Sequence, residues 1–196
     1  VIRLLASRKS EVRPGERLAT AFQELGPSFI KLGQALSTRS DLIGEEMALD
    51  LSQLQDRLPA FPFSQAKMTI EEELDCKLED LFVAFEEKPL AAASIAQVHL
   101  ATTKEGNEVA VKILRPGIES AFKKDIELFF WIAQLLEATR PELRRLKPVE
   151  IISTFKETST IEMDLRLEAA AAEEMKNNFS KDPNFSVPSV DWHRTS

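Results

Sequence analysis

Residues 95–114 constrain the fold of this 196-residue chain more than any other stretch. In extended backbone Ile95, Gln97 and His99 fall on one face and Ala96, Val98 and Leu100 on the other. Lys104-Glu-Gly-Asn107 is a turn signal, and Val109-Ala-Val-Lys-Ile-Leu114 follows as a β-rich run, so the stretch reads as a hairpin. Lys112 is the odd residue in it, a cation inside an otherwise apolar strand. Burying it is costly unless it meets an anion, either a carboxylate or a phosphate. On the solvent face of an edge strand it needs neither, and the strand alone does not choose between the two.

The residues around the hairpin narrow the choice. Val-Ala-Val-Lys112 matches the V-A-I-K strand with which protein kinases hold nucleotide phosphates. Upstream, Ala91-Ala-Ala-Ser94 puts small residues where kinases carry a glycine-rich phosphate cover. Backbone amides approach phosphate oxygens only where no bulk intervenes. Alanine in place of glycine makes the loop stiffer and less able to take positive φ, so its nucleotide handling should differ from that of an ordinary kinase. The run Pro89-Leu-Ala-Ala-Ala-Ser-Ile-Ala-Gln-Val-His99, followed by Val-Ala-Val-Lys-Ile-Leu-Arg-Pro-Gly117, resembles the UbiB/aarF-domain family of atypical kinases. Lys31-Leu-Gly-Gln34 resembles that family's KxGQ motif and Glu162-Met-Asp164 its ExD motif, and all three stand in the family's order.

The resemblance implies an α+β fold, a kinase-like N-terminal lobe in which a helix packs on a small antiparallel sheet. It adds a helical KxGQ-type extension over residues 1–80, and places the lobe at 81–196 with a helical insert at about 118–158. ATP or ADP is the implied ligand, with Ala91, Ala92, Ala93, Ser94, Ala110 and Lys112 around it and a helix glutamate paired with Lys112. Glu162 and Asp164 are two apart and do not share a helix face, whereas Asp164 and Glu168 are four apart and do. Place in the helix and family analogy favour Glu168 as the partner of Lys112, with Glu162 the rival. Glu162 and Asp164 are then expected to face a plug made by Lys31, Gly33 and Gln34, which would cover the place of a protein substrate. Were Lys112 not there, these acids would read as a solvated helix surface, and without the resemblance Lys31 and Gln34 read as ordinary surface residues.

Phosphoryl transfer also needs a catalytic-loop aspartate, and metal ligands from a following Asn and a DFG-type aspartate. None of these motifs occurs here, so a C-terminal lobe holding Mg2+ is expected outside this chain, and the chain alone is expected to be inactive. The family supplies the pathway, ubiquinone biosynthesis, served by ATP hydrolysis or by phosphorylation of a lipid or small molecule rather than a protein. Quinone-biosynthesis proteins and an anionic lipid or membrane surface are the implied partners. The implied location is the bacterial cytoplasm, the cytoplasmic face of the inner membrane, or the mitochondrial matrix side. A nucleotide-responsive scaffold that organises those proteins without phosphoryl transfer stays open beside the enzyme.

Composition sets further bounds. A balance of 25 basic against 32 acidic residues, net −7, argues against nucleic acid as the main partner. The lone Cys76 excludes an internal disulfide, and the isolated His99 and His193 give no metal-binding cluster. Val1-Ile-Arg-Leu-Leu-Ala is followed at once by charge and is no secretory signal. The longest apolar stretch, Ile126 to Ala138, is interrupted by Glu127, Gln134 and Glu137 and falls short of the roughly 20 apolar residues a bilayer requires.

Helical spacing predicts helices over Arg17–Leu25 after a Pro14-Gly15 break, Ser28–Thr38, Glu45–Arg57, Ser64–Leu74, Ile118–Thr139, Pro148–Thr158 and Glu162–Asn177, with a turn of helix over Lys77–Leu81. Val187 to Trp192 reads as the start of a further strand. Phe129-Phe130-Trp131 reads first as core packing and second as a lipid or quinone contact. The basic group Arg140, Arg144, Arg145 and Lys147 reads first as solvated surface and second as a contact for anionic lipid.

Overall fold

The computed structural model describes residues 12–54 and 58–196, in a chain that divides into two compact units, Val1–Asp56 and Arg57–Ser196. The reading of the first eleven residues, and the expected end of a helix at Arg57, lie outside the described residues.

The first unit is helical: α1 (Pro14–Leu25), α2 (Pro27–Ser37), α3 (Ser40–Ile43) and α4 (Glu45–Leu51). Pro14 opens α1 instead of breaking the chain before it. Its fixed φ suits the first helical turn, where the missing N–H has no partner to lose. Ala19, Leu51 and Leu54 form the core of this unit, with Phe22, Leu36 and Met47 packed around them. Asp50 is 1% exposed and pairs with Arg13. A side chain at Gly15 would press into the Asp50 carboxylate, so the glycine provides the room that this buried charge occupies.

The second unit begins with α5 (Phe63–Leu74) and α6 (Leu78–Leu81) and continues into a four-stranded antiparallel sheet, β1 (Phe82–Phe85), β2 (Ala91–Ala92), β3 (Ala96–Thr103) and β4 (Glu108–Leu114). The long β3 is central: β1 and β2 pair with successive parts of it, and β4 runs beside it from Ala96↔Leu114 to Thr102↔Glu108. One face carries Phe82, Ala101 and Ile113 into a core with Phe61, Ala66, Ile70 and Leu78. The sequence reading groups α5 and most of α6 with the N-terminal extension, but their buried residues pack on this sheet. On the other face Leu100, Ala110 and Lys112 remain exposed.

After β4, α7 (Ile118–Thr139) buries Phe122, Ile126, Phe129 and Ala133. A 3-10 turn over Pro141–Leu146 leads to α8 (Pro148–Met163), whose Phe155 stacks with Phe122 at 6.5 Å and meets Phe129 edge-on at 6.0 Å. The aromatic triplet therefore divides, with Phe129 in the core and Trp131 59% exposed. In the basic group, Arg144 donates to the Glu137 carbonyl at 2.6 Å, and Lys147 pairs with Glu150 at 2.9 Å.

The two helices expected over Pro148–Thr158 and Glu162–Asn177 are present, with the break between them displaced to Asp164. The first, α8, runs past Thr158 to Met163; Asp164 leaves helical geometry (φ −89°, ψ 96°), and α9 spans Leu165–Asn178. The segment expected as a further strand has no strand in it and enters a 3-10 turn at Trp192–Arg194. Trp192 Nε1 donates to Glu173 at 2.6 Å, and Arg194 bridges Asp191 and Glu105. Among the described residues no helix is long and apolar enough to cross a membrane.

Candidate functional site

The register of the hairpin decides which side chains share the open face. Val98 lies opposite Lys112 and Leu100 opposite Ala110, so all four project from the same side of the sheet, and Ala91, opposite Val98, joins them. Lys112 therefore stands on the exposed side of β4, where its side chain keeps contact with water. Its ammonium pairs with the Glu168 carboxylate in the first turn of α9. The lysine and glutamate side chains are 36% and 57% exposed, and a pair so open to water contributes only about 0–1 kcal/mol. The contact orients the lysine more than it stabilises the fold.

Of the two glutamates considered for Lys112, Glu168 is the one in contact. The break at Asp164 explains the choice, because it puts Glu162 near the end of α8 and Glu168 at the start of α9. Asp164 is the N-cap of α9, its Oδ1 accepting the Arg166 backbone N–H at 3.1 Å. The Arg166 guanidinium donates to both carboxylate oxygens at 3.2 Å. This side-chain bond, helped by the backbone N–H of the same residue, holds the Asp164 carboxyl below its ordinary range. Glu168 in the first turn also suits the positive end of the helix dipole.

The alanine loop borders the lysine strand. Ala91 and Ala92 form β2, Ala93 is half-buried, and Ser94 is fully buried where the chain turns into β3. The turn is closed by the Ala93 N–H donating to the Ala96 carbonyl at 2.8 Å. Arg115, which follows β4 directly, donates to the Ala93 carbonyl from Nε at 3.2 Å and from Nη2 at 2.9 Å. The same Nη2 reaches the Pro59 carbonyl at 2.9 Å, and the guanidinium lies over the Phe61 ring at 5.5 Å. Sequence reasoning gave Arg115 no role; the available signal was an arginine fixed between a strand end and a Pro-Gly break.

Beneath the loop, on the covered face, lies a buried polar chain. The Phe61 N–H donates to Gln97 Oε1 at 3.2 Å, Gln97 Nε2 meets His99 Nε2 at 2.8 Å, and His99 Nδ1 meets the Glu86 carbonyl at 2.7 Å. The carbonyl at Glu86 can only accept, so His99 donates from Nδ1 and accepts at Nε2 from the Gln97 amide. One amide orientation and one tautomer satisfy the whole chain.

The domain description that matches this sequence is the ABC1 atypical kinase-like domain, over residues 53–196. The chain belongs to this family. Proteins described as probable protein kinase UbiB are 47% identical in Pseudomonas paraeruginosa over 190 residues, and 44% identical in Azotobacter vinelandii over 190 residues. Each alignment covers 97% of this chain but only 36% and 35% of those relatives, so the chain spans about a third of their length. A solved structure, Rv3197 of Mycobacterium tuberculosis in complex with erythromycin, is similar with a TM-score of 0.58 and 32% identity, covering 87% of this chain and 43% of that one.

Within this ABC1 domain a cavity meets the lysine strand but not the alanine loop. The cavity, of about 840 Å3, lies on the helical side of β4, lined by residues including Val111, Phe122, Ile126, Lys156 and Asp164. Lys112 reaches it, but the alanine loop, Ala110 and Glu168 do not line it. The face on which loop and lysine meet is open surface. Among the described residues no group of three His, Cys, Asp or Glu is placed to hold a metal ion. Lys31, Gly33 and Gln34 lie on α2 in the first unit, where Gln34 Nε2 donates to the Leu54 carbonyl at 3.5 Å.

Proposed function

We propose that this chain is the nucleotide-holding lobe of an atypical kinase or ATPase of UbiB type that supports ubiquinone biosynthesis, acting on a lipid or small molecule at or near a membrane. The observation that carries the reading is the Lys112–Glu168 pair standing on the open face of the sheet beside the alanine loop. A lysine on a strand's exposed face needs no helix carboxylate for stability, whereas a lysine that must present its ammonium to phosphate gains from being held.

The residues fit a nucleotide. Ala91 and Ala110 leave the face flat and uncrowded, and the small side chains of the loop leave its main chain approachable. Lys112 would meet the phosphates as a point charge, and Glu168 would keep its ammonium aimed at them. The bound nucleotide would supply the transferable phosphoryl group. Magnesium ligands would come from parts of the protein beyond this chain. Support for the pathway comes from the probable UbiB kinases it resembles. A plug formed by Lys31, Gly33 and Gln34 belongs to the same proposal and would disfavour protein acceptors.

The test is nucleotide binding by the full-length protein. Lys112→Met and Glu168→Gln should each weaken ATP or ADP binding by about 10- to 100-fold, the worth of one charge-assisted contact. Undiminished affinity in Lys112→Met sinks the assignment. Binding without turnover under any lipid condition would instead favour a nucleotide-responsive scaffold.

A further inference from the structure

We propose that Arg115 is the positioning residue of the alanine loop, clamping its turn so that the main chain is preformed for nucleotide; this rests on the function proposed above. Beyond the pairing of Ala91 and Ala92 with β3, one backbone bond closes the loop's turn, from the Ala93 N–H to the Ala96 carbonyl. The loop's side chains are methyl groups and one hydroxymethyl, which provide little packing to fix a backbone. The guanidinium supplies what they lack. Two of its nitrogens converge on the Ala93 carbonyl, at 3.2 and 2.9 Å, and one of them also holds the Pro59 carbonyl at 2.9 Å. A planar fork serves two carbonyls in a fixed relative direction, which a lysine ammonium on a flexible stem does not.

The clamp stands on a rigid base. Phe61, under the guanidinium, is 8% exposed, and its N–H is held by Gln97. Gln97 is in turn fixed by His99, and His99 by the Glu86 carbonyl. The backbone of Arg115 is fixed as well, its N–H donating to the Ile95 carbonyl at 2.8 Å just past the loop. Arg115 thus joins the loop to a buried, fully satisfied polar chain and to the stretch through which the sequence enters the second unit. The clamp grips the Ala93 carbonyl while the Ala93 N–H is bonded to the Ala96 carbonyl, so both polar groups of that peptide turn are fixed in direction. A loop ordered before binding does not lose that order's entropy when nucleotide arrives.

The experiment compares wild type, Arg115→Ala and Arg115→Lys in the full-length protein by two readouts. Without nucleotide, backbone hydrogen exchange at Ala93, whose N–H is bonded to the Ala96 carbonyl across the clamped turn, should speed up about tenfold or more in both variants, while amides of central β3 stay protected. ATP and ADP affinity, measured where the variants remain folded, should fall about tenfold, with Arg115→Lys failing to restore it. If Arg115→Ala does not fold, the lysine variant carries both measurements. A residue serving stability alone would lower the unfolding midpoint and leave affinity unchanged, and that result overturns the proposal, as does unchanged exchange in the loop. A wild-type protein that binds no nucleotide overturns the function proposed above. Wild-type binding with unaltered variant affinity overturns only the role given to Arg115.

Discussion

Gln97 and His99 are fully buried on the sheet face that packs against α5, while Val98 and Leu100 project from the open one. Each polar group on the buried side has a partner, so their desolvation is compensated. Replacing Gln97 by leucine removes the partner of the Phe61 N–H and of His99 Nε2 together. Each orphaned group costs about 1–3 kcal/mol, so urea unfolding of Gln97→Leu should show a loss of that order or larger. The double variant with His99→Leu should lose less than the sum of the two singles, because the same chain is broken only once; strict additivity would refute the coupling. Alternation in the sequence separates the two faces but does not say which is covered, since hydrophobicity alone would put Val98 and Leu100 inside. Gly33 is a similar case. Sequence spacing does not show what crowds it, and the structure does: a Cβ would collide with Leu54 and lie 2.7 Å from Phe22. Gly33→Ala should destabilise the first unit by about 1–3 kcal/mol, as overpacking does, and an unchanged midpoint would remove this account of the glycine.

Between residues 148 and 178 the two helices are legible, but the position of the break is not: the spacing puts it at 159–161 and the chain puts it at Asp164. Asp164 sits inside a continuous helix-forming run, and only its capping bond to Arg166 reveals that a new helix starts there. The additional strand β1 is hidden for the opposite reason. It has four residues with a bulge in its pairing to β3, too short for a period to emerge. The C-terminal turn depends on a contact that sequence spacing cannot supply, Arg194 with Glu105 in the hairpin turn, 89 positions away. Glu105 is held down to about 2, first by the Thr103 hydroxyl, then by its own backbone N–H and by Arg194. A depressed carboxyl contributes stability above its unfolded value near 4.5, and that contribution is lost as pH falls through the folded value of about 2. The Glu105 carboxyl carbon, followed by NMR, should therefore titrate with a midpoint about 2. A midpoint near 4.5 would mean that the turn does not hold the C-terminal segment in solution.

At the scale of the whole protein, the family and its N-terminal lobe are legible because three short motifs stand in order; the domain match over residues 53–196 takes in the alanine loop with its lysine strand and Glu162-Met-Asp164, while Lys31–Gln34 lies before it. Chemistry is another matter. Phosphoryl transfer requires a positioned lysine, metal ions that neutralise the developing charge, and a group that orients the acceptor. This chain holds the lysine and its glutamate, and its sequence contains neither a kinase catalytic-loop motif nor a DFG-type motif. Its relatives are nearly three times as long, its share of them being 33–36%. Aiming a lysine does not by itself lower the barrier to transfer, since the metal and the acceptor-orienting group act on the transition state. The 196-residue chain by itself should therefore show no magnesium-dependent ATP turnover above the uncatalysed background. The full-length protein, assayed with membranes, should turn ATP over and lose that activity with Lys112→Met. Turnover by the isolated chain, abolished by Lys112→Met and by chelation of magnesium, would require a metal site within these residues and would refute the division of labour argued here.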